Sequence, residues 1–248
     1  WLVYVGLPGA SSKPVAYNPV PRGDARFSPG VVKLHAVMGD ALLNAVKSGD
    51  AREDRSQGFA LGENPALRAA QMAIREHALE NEAEIVRVLE SSADAEHRAM
   101  AATALGYARA SSRQVASLAR ASLDGDDNVR NNAVRALGVL LQARPELARD
   151  VPAASVLPLL SSPVWSDHNK GAMLVEALTK NRDPELLRQL RASALDNLLE
   201  MARWRSAGHA DSARMLLGRI AGIEEDRLLK LVASGDVEAI IRALPPER

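Results

Sequence analysis

Three stretches of the chain hold residue types that could do chemistry. The first is Trp165-Ser-Asp167-His168-Asn169-Lys170, an aromatic ring two positions from a carboxylate. That pairing could stack an extruded base and act on it through the acid, or offer a partner protein a ring beside a polar edge. The competing assignment, and the favoured one, is that Trp165 packs between helices. The second stretch is Met201-Ala-Arg203-Trp204-Arg205-Ser-Ala-Gly208-His209. Arginine and tryptophan are the types most enriched where interfaces concentrate their binding energy. Bulk is again the competing role, with Trp204 plugging a junction between repeats. The third stretch is Asn131-Asn132 with Arg135. On a helix Asn131 and Arg135 lie one turn apart and can present an amide and a guanidinium together.

Catalytic chemistry has little else to draw on. His35, His77, His97, His168 and His209 show no His-x3-His or Glu-x-x-His spacing that would set two metal ligands on one helix face. No Gly-x-Ser-x-Gly elbow, phosphate loop or dinucleotide fingerprint is present. With no cysteine, thiolate catalysis, disulfides and cysteine metal sites are excluded. The expectation is therefore no catalytic residue, no metal, no cofactor and no enzyme activity.

Charge narrows the partner class. Lysine plus arginine and aspartate plus glutamate are 31 each, for a formal net charge of zero. Proteins that grip phosphate backbones are usually visibly basic, so nucleic acid is not the expected partner. Residues 51–100 carry an acidic excess of about four, and the other segments stay within about two charges of neutral. No apolar run approaches the ~18 residues needed to cross a bilayer, so membrane insertion is not expected. The chain begins at Trp1. A secreted or periplasmic location is the expectation if Trp1 follows a cleaved signal peptide, and a cytoplasmic one otherwise.

The elements that must position these residues read as helices. Hydrophobic residues make up 47% of the chain but aromatics only 3%, a composition of helices packed through small side chains. Residues 1–30 differ: an apolar run ends in Pro8-Gly9, and Pro14, Pro19, Pro21 and Pro29 forbid a helix. They are expected to form an extended arm laid against the first helices through Trp1, Tyr4, Tyr17 and Phe27. From Val31 the spacing Val31, Leu34, Val37, Met38, Leu42, Val46 is helical up to Gly49. The charged stretch Arg52-Glu-Asp-Arg55-Ser-Gln-Gly58 has no apolar face and reads as a solvated loop.

Self-similarity then decides the architecture. Asp94-Ala-Glu-His-Arg98-Ala-Met-Ala-Ala-Thr-Ala-Leu105-Gly106 lies 32 positions before Asp126-Asp-Asn-Val-Arg130-Asn-Asn-Ala-Val-Arg-Ala-Leu137-Gly138. Weaker copies run from Asp167 to Leu178 and from Arg214 to Gly222, and Arg68-Ala-Ala-Gln-Met-Ala-Ile opens an earlier one. Apolar helices precede them at Ile85–Leu89, Val115–Ala119, Val156–Leu160 and Leu186–Leu190. One repeat is helix, turn, helix, and such hairpins bury their stripes only by stacking. The Asp four residues ahead of the Arg can cap its helix and meet that Arg at i, i+4. The glycine after Leu is expected in a left-handed helix end. Arg98, Arg130 and Lys170 in successive repeats form either an exposed polar ladder or, as favoured, an internal one that holds the repeats in register.

Asp126-x-x-Val129-Arg130-x-x-Ala133-x-x-Ala136-Leu137-Gly138 resembles the HEAT repeat of the variety found in phycobilisome lyases and many bacterial scaffold proteins. The likeness covers roughly residues 65–244. It implies an all-α right-handed α-α superhelix, with residues 31–248 as one solenoid of about five helix pairs behind the arm of residues 1–30. It also implies that the concave surface is the binding face. Asp236 to Leu244 is expected to close the stack.

The leading expectation is a non-catalytic interaction scaffold that binds a protein or peptide through Trp165, Asp167, Asn169, Lys170, Arg203, Trp204, Arg205, His209, Asn131 and Arg135. The alternative is a DNA-binding protein similar to the HEAT-like DNA glycosylases, using Trp165, Asp167 and Trp204. A third reading, a lyase or chaperone subunit that handles a tetrapyrrole, is suggested by the repeat type alone and weakened by the missing cysteine.

Overall fold

Side chains set where the helices begin. The computed structural model describes residues 15–246 and contains α1 (Pro29–Lys47), α2 (Pro65–Glu80), α3 (Glu82–Ser91), α4 (Ala95–Leu105), α5 (Ser112–Ala121), α6 (Asp127–Ala143), α7 (Trp165–Leu178), α8 (Pro184–Ala202), α9 (Ala207–Ile220), α10 (Glu225–Ser234) and α11 (Val237–Arg242). Ser28, Asn64, Asp94, Ser111, Asp126, Asp183, Glu224 and Asp236 each accept a backbone N–H in the first turn that follows them. Those N–H groups would otherwise lack partners. The only strands among the described residues, β1 (Glu53–Asp54) and β2 (Leu61–Gly62), pair antiparallel. The protein is an all-α helical-repeat solenoid, and no helix among the described residues is long and apolar enough to cross a membrane.

The described residues fall into two compact units, 17–152 and 153–246, the second taking in residues 15 and 16. In the first, α1 lies against α2, α3 against α4 and α5 against α6. Neighbouring hairpins meet through α2 with α4, α4 with α6, and α3 with α5, so the hairpins stack in chain order. Leu67, Ile74, Ile85, Leu105, Leu118 and Leu137 are fully buried along this stack. In the second unit α8 packs on α9, α9 touches α7, α10 and α11, and a 3-10 turn at Leu157–Ser161 sits against α7 and α8.

That turn corrects the sequence reading, which expected a helix at Val156–Leu160. Pro152, Pro158 and Pro163 stand within twelve residues, and each removes a donor that an α-helix needs. The apolar side chains are buried as expected, with Val156, Leu159 and Leu160 at 0% exposure, but on a tighter scaffold.

A second correction concerns the glycines after Leu. Gly106 has φ −61, and Gly138 lies inside α6, so neither is left-handed. At Gly106 the constraint is contact: a Cβ there would stand 2.9 Å from that of Ala136, where α4 and α6 press together. Gly222, at φ 71, does end α9 in the left-handed region.

The arm contacts two successive turns of the first unit. The Asn18 N–H donates to the Leu123 carbonyl at 2.7 Å, the Gly23 N–H to that of Ser91 at 2.8 Å, and the Ala93 N–H returns to Gly23 at 2.8 Å. Tyr17 lies under the Arg130 guanidinium, 4.1 Å from its ring centre. Phe27, 5% exposed, sits among His35, His77 and His97, each 6.1 Å from it between ring centres. Its N–H donates to His97 Nδ1 at 3.0 Å. Trp1 and Tyr4, also expected to anchor the arm, lie outside the described residues.

Candidate functional site

The first unit places Asn131 and Arg135 one turn apart on α6, both half-buried, and does not leave them open. Arg135 donates to both carboxylate oxygens of Glu53, at 2.5 and 2.7 Å. Asn131 donates to the Asn132 side chain at 3.2 Å, and Asn132 to the Ala99 carbonyl at 3.1 Å. Glu53 belongs to the charged stretch expected to be solvated: Arg52, Asp54, Ser56 and Gln57 are exposed as expected, whereas Glu53 and Gly58 are drawn into the fold. The β1–β2 hairpin closes over the helices: Gly58, Phe59, Ala60 and Leu61 are buried, and Gly58 lies against Leu140 and Ala143.

Arg75 holds the hairpin from α2. Its guanidinium stacks 3.8 Å from the Phe59 ring centre and donates to the Tyr107 carbonyl at 2.8 Å. Burial beneath this cover pushes the Tyr107 hydroxyl up to about 12. An apolar tripeptide, Phe59-Ala-Leu61, after the charged run was the available signal. Its partner Arg135 lies 82 residues away from Glu53, beyond any local pattern.

Two rungs of the polar ladder, Arg98 and Arg130, are internal and Lys170 is half-buried, and the acid that pairs with Arg98 is not the capping Asp. Arg98, only 1% exposed, donates to Asp124, the turn residue of the following hairpin, while Asp94 caps α4. Arg130 likewise donates to the carbonyls of Asp124 and Gly125, at 2.9 and 3.2 Å. The second unit has an equivalent that the sequence reading missed. Arg219, 5% exposed, donates to the Glu176 carbonyl at 2.6 Å and pairs with Glu225 at 2.7 Å.

The second unit brings Trp165 and His209 together. Trp165 opens α7 and His209 sits in the first turn of α9, and the two rings meet edge to face at 4.9 Å and 88°. Both residues are half-buried. Trp204, also half-buried, precedes α9 and donates to Glu200, whose carboxyl is raised above its usual range by burial. Arg203 is exposed and pairs with Glu238 at 3.1 Å. Arg205 is exposed, and no ion pair holds it among the described residues. Lys170 is half-buried.

Asp167 and Asn169 do not join that surface. Asp167 is 3% exposed and accepts the Ser162 hydroxyl at 2.7 Å, with Ser162 itself fully buried and taking the Val164 N–H. His168 and Asn169 are 3% and 6% exposed, and burial lowers the His168 pKa. These residues lock the start of α7. Asp167 is thus turned into the fold rather than to a surface shared with Trp165, and the glycosylase alternative is not favoured.

No protein-family model matches the chain, and no characterised protein matches its sequence. Two solved structures are similar in fold. One is described as computationally designed armadillo repeat proteins for modular peptide recognition: 18% identity, 74% of this chain and 95% of that chain covered, TM-score 0.51. The other is a designed armadillo repeat protein at 16% identity, with 78% and 92% covered and a TM-score of 0.48. The first likeness establishes a stacked helical-repeat solenoid. The HEAT variety rests on the sequence motif alone.

Proposed function

We propose that the chain is a non-catalytic interaction scaffold and that its second unit takes up a protein or peptide segment at the half-exposed Trp165 and His209 rings. The observation that carries this reading is their edge-to-face contact at the starts of α7 and α9. A ring pair already ordered within the fold loses little freedom on binding, and aromatic anchors of this kind dominate interface energetics. Exposed Arg205 and the Arg203–Glu238 pair supply a polar rim. The segment that fits is one with an apolar or aromatic side chain for the rings and a carboxylate nearby for Arg205. A solenoid fold shared with proteins designed for peptide recognition supports the same class of partner.

The test is selection of a displayed peptide library on the purified protein, followed by titration of the enriched peptides. Trp165→Ala should weaken them by about 2 kcal/mol or more, and Arg205→Glu should weaken those that carry acidic residues. Enriched peptides that bind both variants as well as the parent would overturn the assignment, as would failure to enrich any peptide.

A further inference from the structure

Helix α1 carries more apolar surface than its hairpin uses. Of its 19 residues His35 and Ala45 are the buried ones, on the side that meets α2. One residue around the helix, Val32, Ala36, Gly39, Leu43 and Val46 recur at spacings of four and three, the period of a coiled-coil seam. Leu43 is 51% exposed and Val46 57%, and Ala36 and Gly39 are exposed too. A Cβ on Gly39 would meet nothing within 4 Å among the described residues, so no packing inside them requires a glycine there. Glycine weakens a helix interior, and what it permits in return is close approach by another backbone.

The flanking charges say what covers this seam. Asp40 and Lys47 lie one heptad apart along its outward edge, both exposed, and neither is ion-paired among the described residues. An antiparallel pair of helices brings the same edge of each together. Two antiparallel copies of α1 would therefore set Asp40 of each opposite Lys47 of the other, twice. A parallel pair would instead set that edge against the one bearing Leu42 and the buried His35, where no acid or base waits.

We propose that α1 is a self-association surface, through which a second copy of this chain packs antiparallel about a two-fold axis near Leu43. The seam is apolar and self-complementary, as a two-fold interface requires, and its exposed residues span most of the helix. This surface lies in the first unit and is independent of the peptide site proposed above.

Sedimentation velocity over roughly 1–200 µM tests it, with an expected dissociation constant on the order of 10 µM for so small a contact. Leu43→Glu, at an exposed position, should leave the helical spectrum unchanged and the protein monomeric throughout. Asp40→Lys and Lys47→Asp should each weaken the dimer about tenfold or more, and the double exchange should restore it to within about threefold of the parent. A parent that stays monomeric overturns the proposal. So does a dimer indifferent to Leu43→Glu, or a double exchange no tighter than the single ones.

Discussion

Arg98 and Asp124 are joined by two parallel hydrogen bonds of 2.8 Å, Nε to Oδ2 and Nη2 to Oδ1, across the boundary between the second and third hairpins. The same guanidinium donates to the carbonyls of Ser92 and Ala93, at 3.0 and 3.2 Å. One side chain thus ties its own turn to the next, and the Asp124 bonds raise its pKa further. Fork geometry of this kind fixes orientation as well as distance.

Arg98→Met should therefore be costly. It leaves Asp124, 8% exposed, without its cation, and removal of one partner of a buried pair costs about 3–5 kcal/mol. Urea unfolding measures this. Arg98→Met with Asp124→Leu should recover part of the loss, since neither member of the pair is then left buried without the other. A single variant within about 0.5 kcal/mol of the parent would show that the pair does not hold the register.

Glu53→Gln should loosen the β1–β2 hairpin. The carboxylate takes Arg135 from α6 and Arg55 from two residues on, and loss of charge-assisted bonds at a partly exposed site costs about 1–2 kcal/mol. Amide hydrogen exchange at Phe59, Ala60 and Leu61 should accelerate while α4 amides keep their protection. Unchanged exchange at those three residues would mean that Phe59 and Arg75 hold the hairpin without Glu53.

Acid should weaken the first unit well before carboxylates titrate. His35 is pushed down to about 4 from 6.5, first by burial and then by neighbouring His77. Between those values the unfolded chain binds a proton that the folded chain refuses, so stability rises with pH and falls as pH drops from 6.5 to 4. The loss for His35 is on the order of 3 kcal/mol. His168, lowered by burial, contributes with the same sign in the second unit. Urea midpoints at pH 7.5 and 4.5 should differ accordingly, and His35→Gln should reduce the difference. An equal difference in that variant would assign it to other groups.

Much of this fold was legible because its rules are local. Asp94 and Asp126 cap their helices as the four-residue spacing to Arg98 and Arg130 suggested, and the apolar helices at Ile85 and Val115 pack as their periodicity implied. The partner of Arg98 was misplaced because Asp94 and Asp124 are both acids at turns, and spacing along the chain cannot tell which one reaches a guanidinium in the interior. The 3-10 turn at Leu157 has the apolar pattern of a helix, and its prolines were the signal passed over. At the candidate site, Trp165 and His209 were both singled out, but their meeting depends on how α7 and α9 align, which nothing in either stretch records. Asp167 had the residue type of a site, but it is buried and accepts the Ser162 hydroxyl instead.

The arm offers the sharpest test of how the first unit is closed. Gly23 exchanges two backbone hydrogen bonds with the α3–α4 turn, and a Cβ on it would stand 2.5 Å from the Ser91 carbonyl oxygen. That oxygen is backbone and accepts from Gly23 itself, so it cannot retreat without breaking the contact. Gly23→Ala should cost about 1–3 kcal/mol through this clash, and Phe27→Ala about 3–5 kcal/mol through lost burial and the cavity left among the three histidines. If residues 17–27 dock as one piece, either change releases the other, and the double variant should lose less than the two losses added together. Trypsin gives a second readout, because Arg22 and Arg26 flank Gly23 and should be cut faster in both variants. Strictly additive losses with unchanged cleavage would mean that each contact holds separately and that the arm is a row of independent attachments.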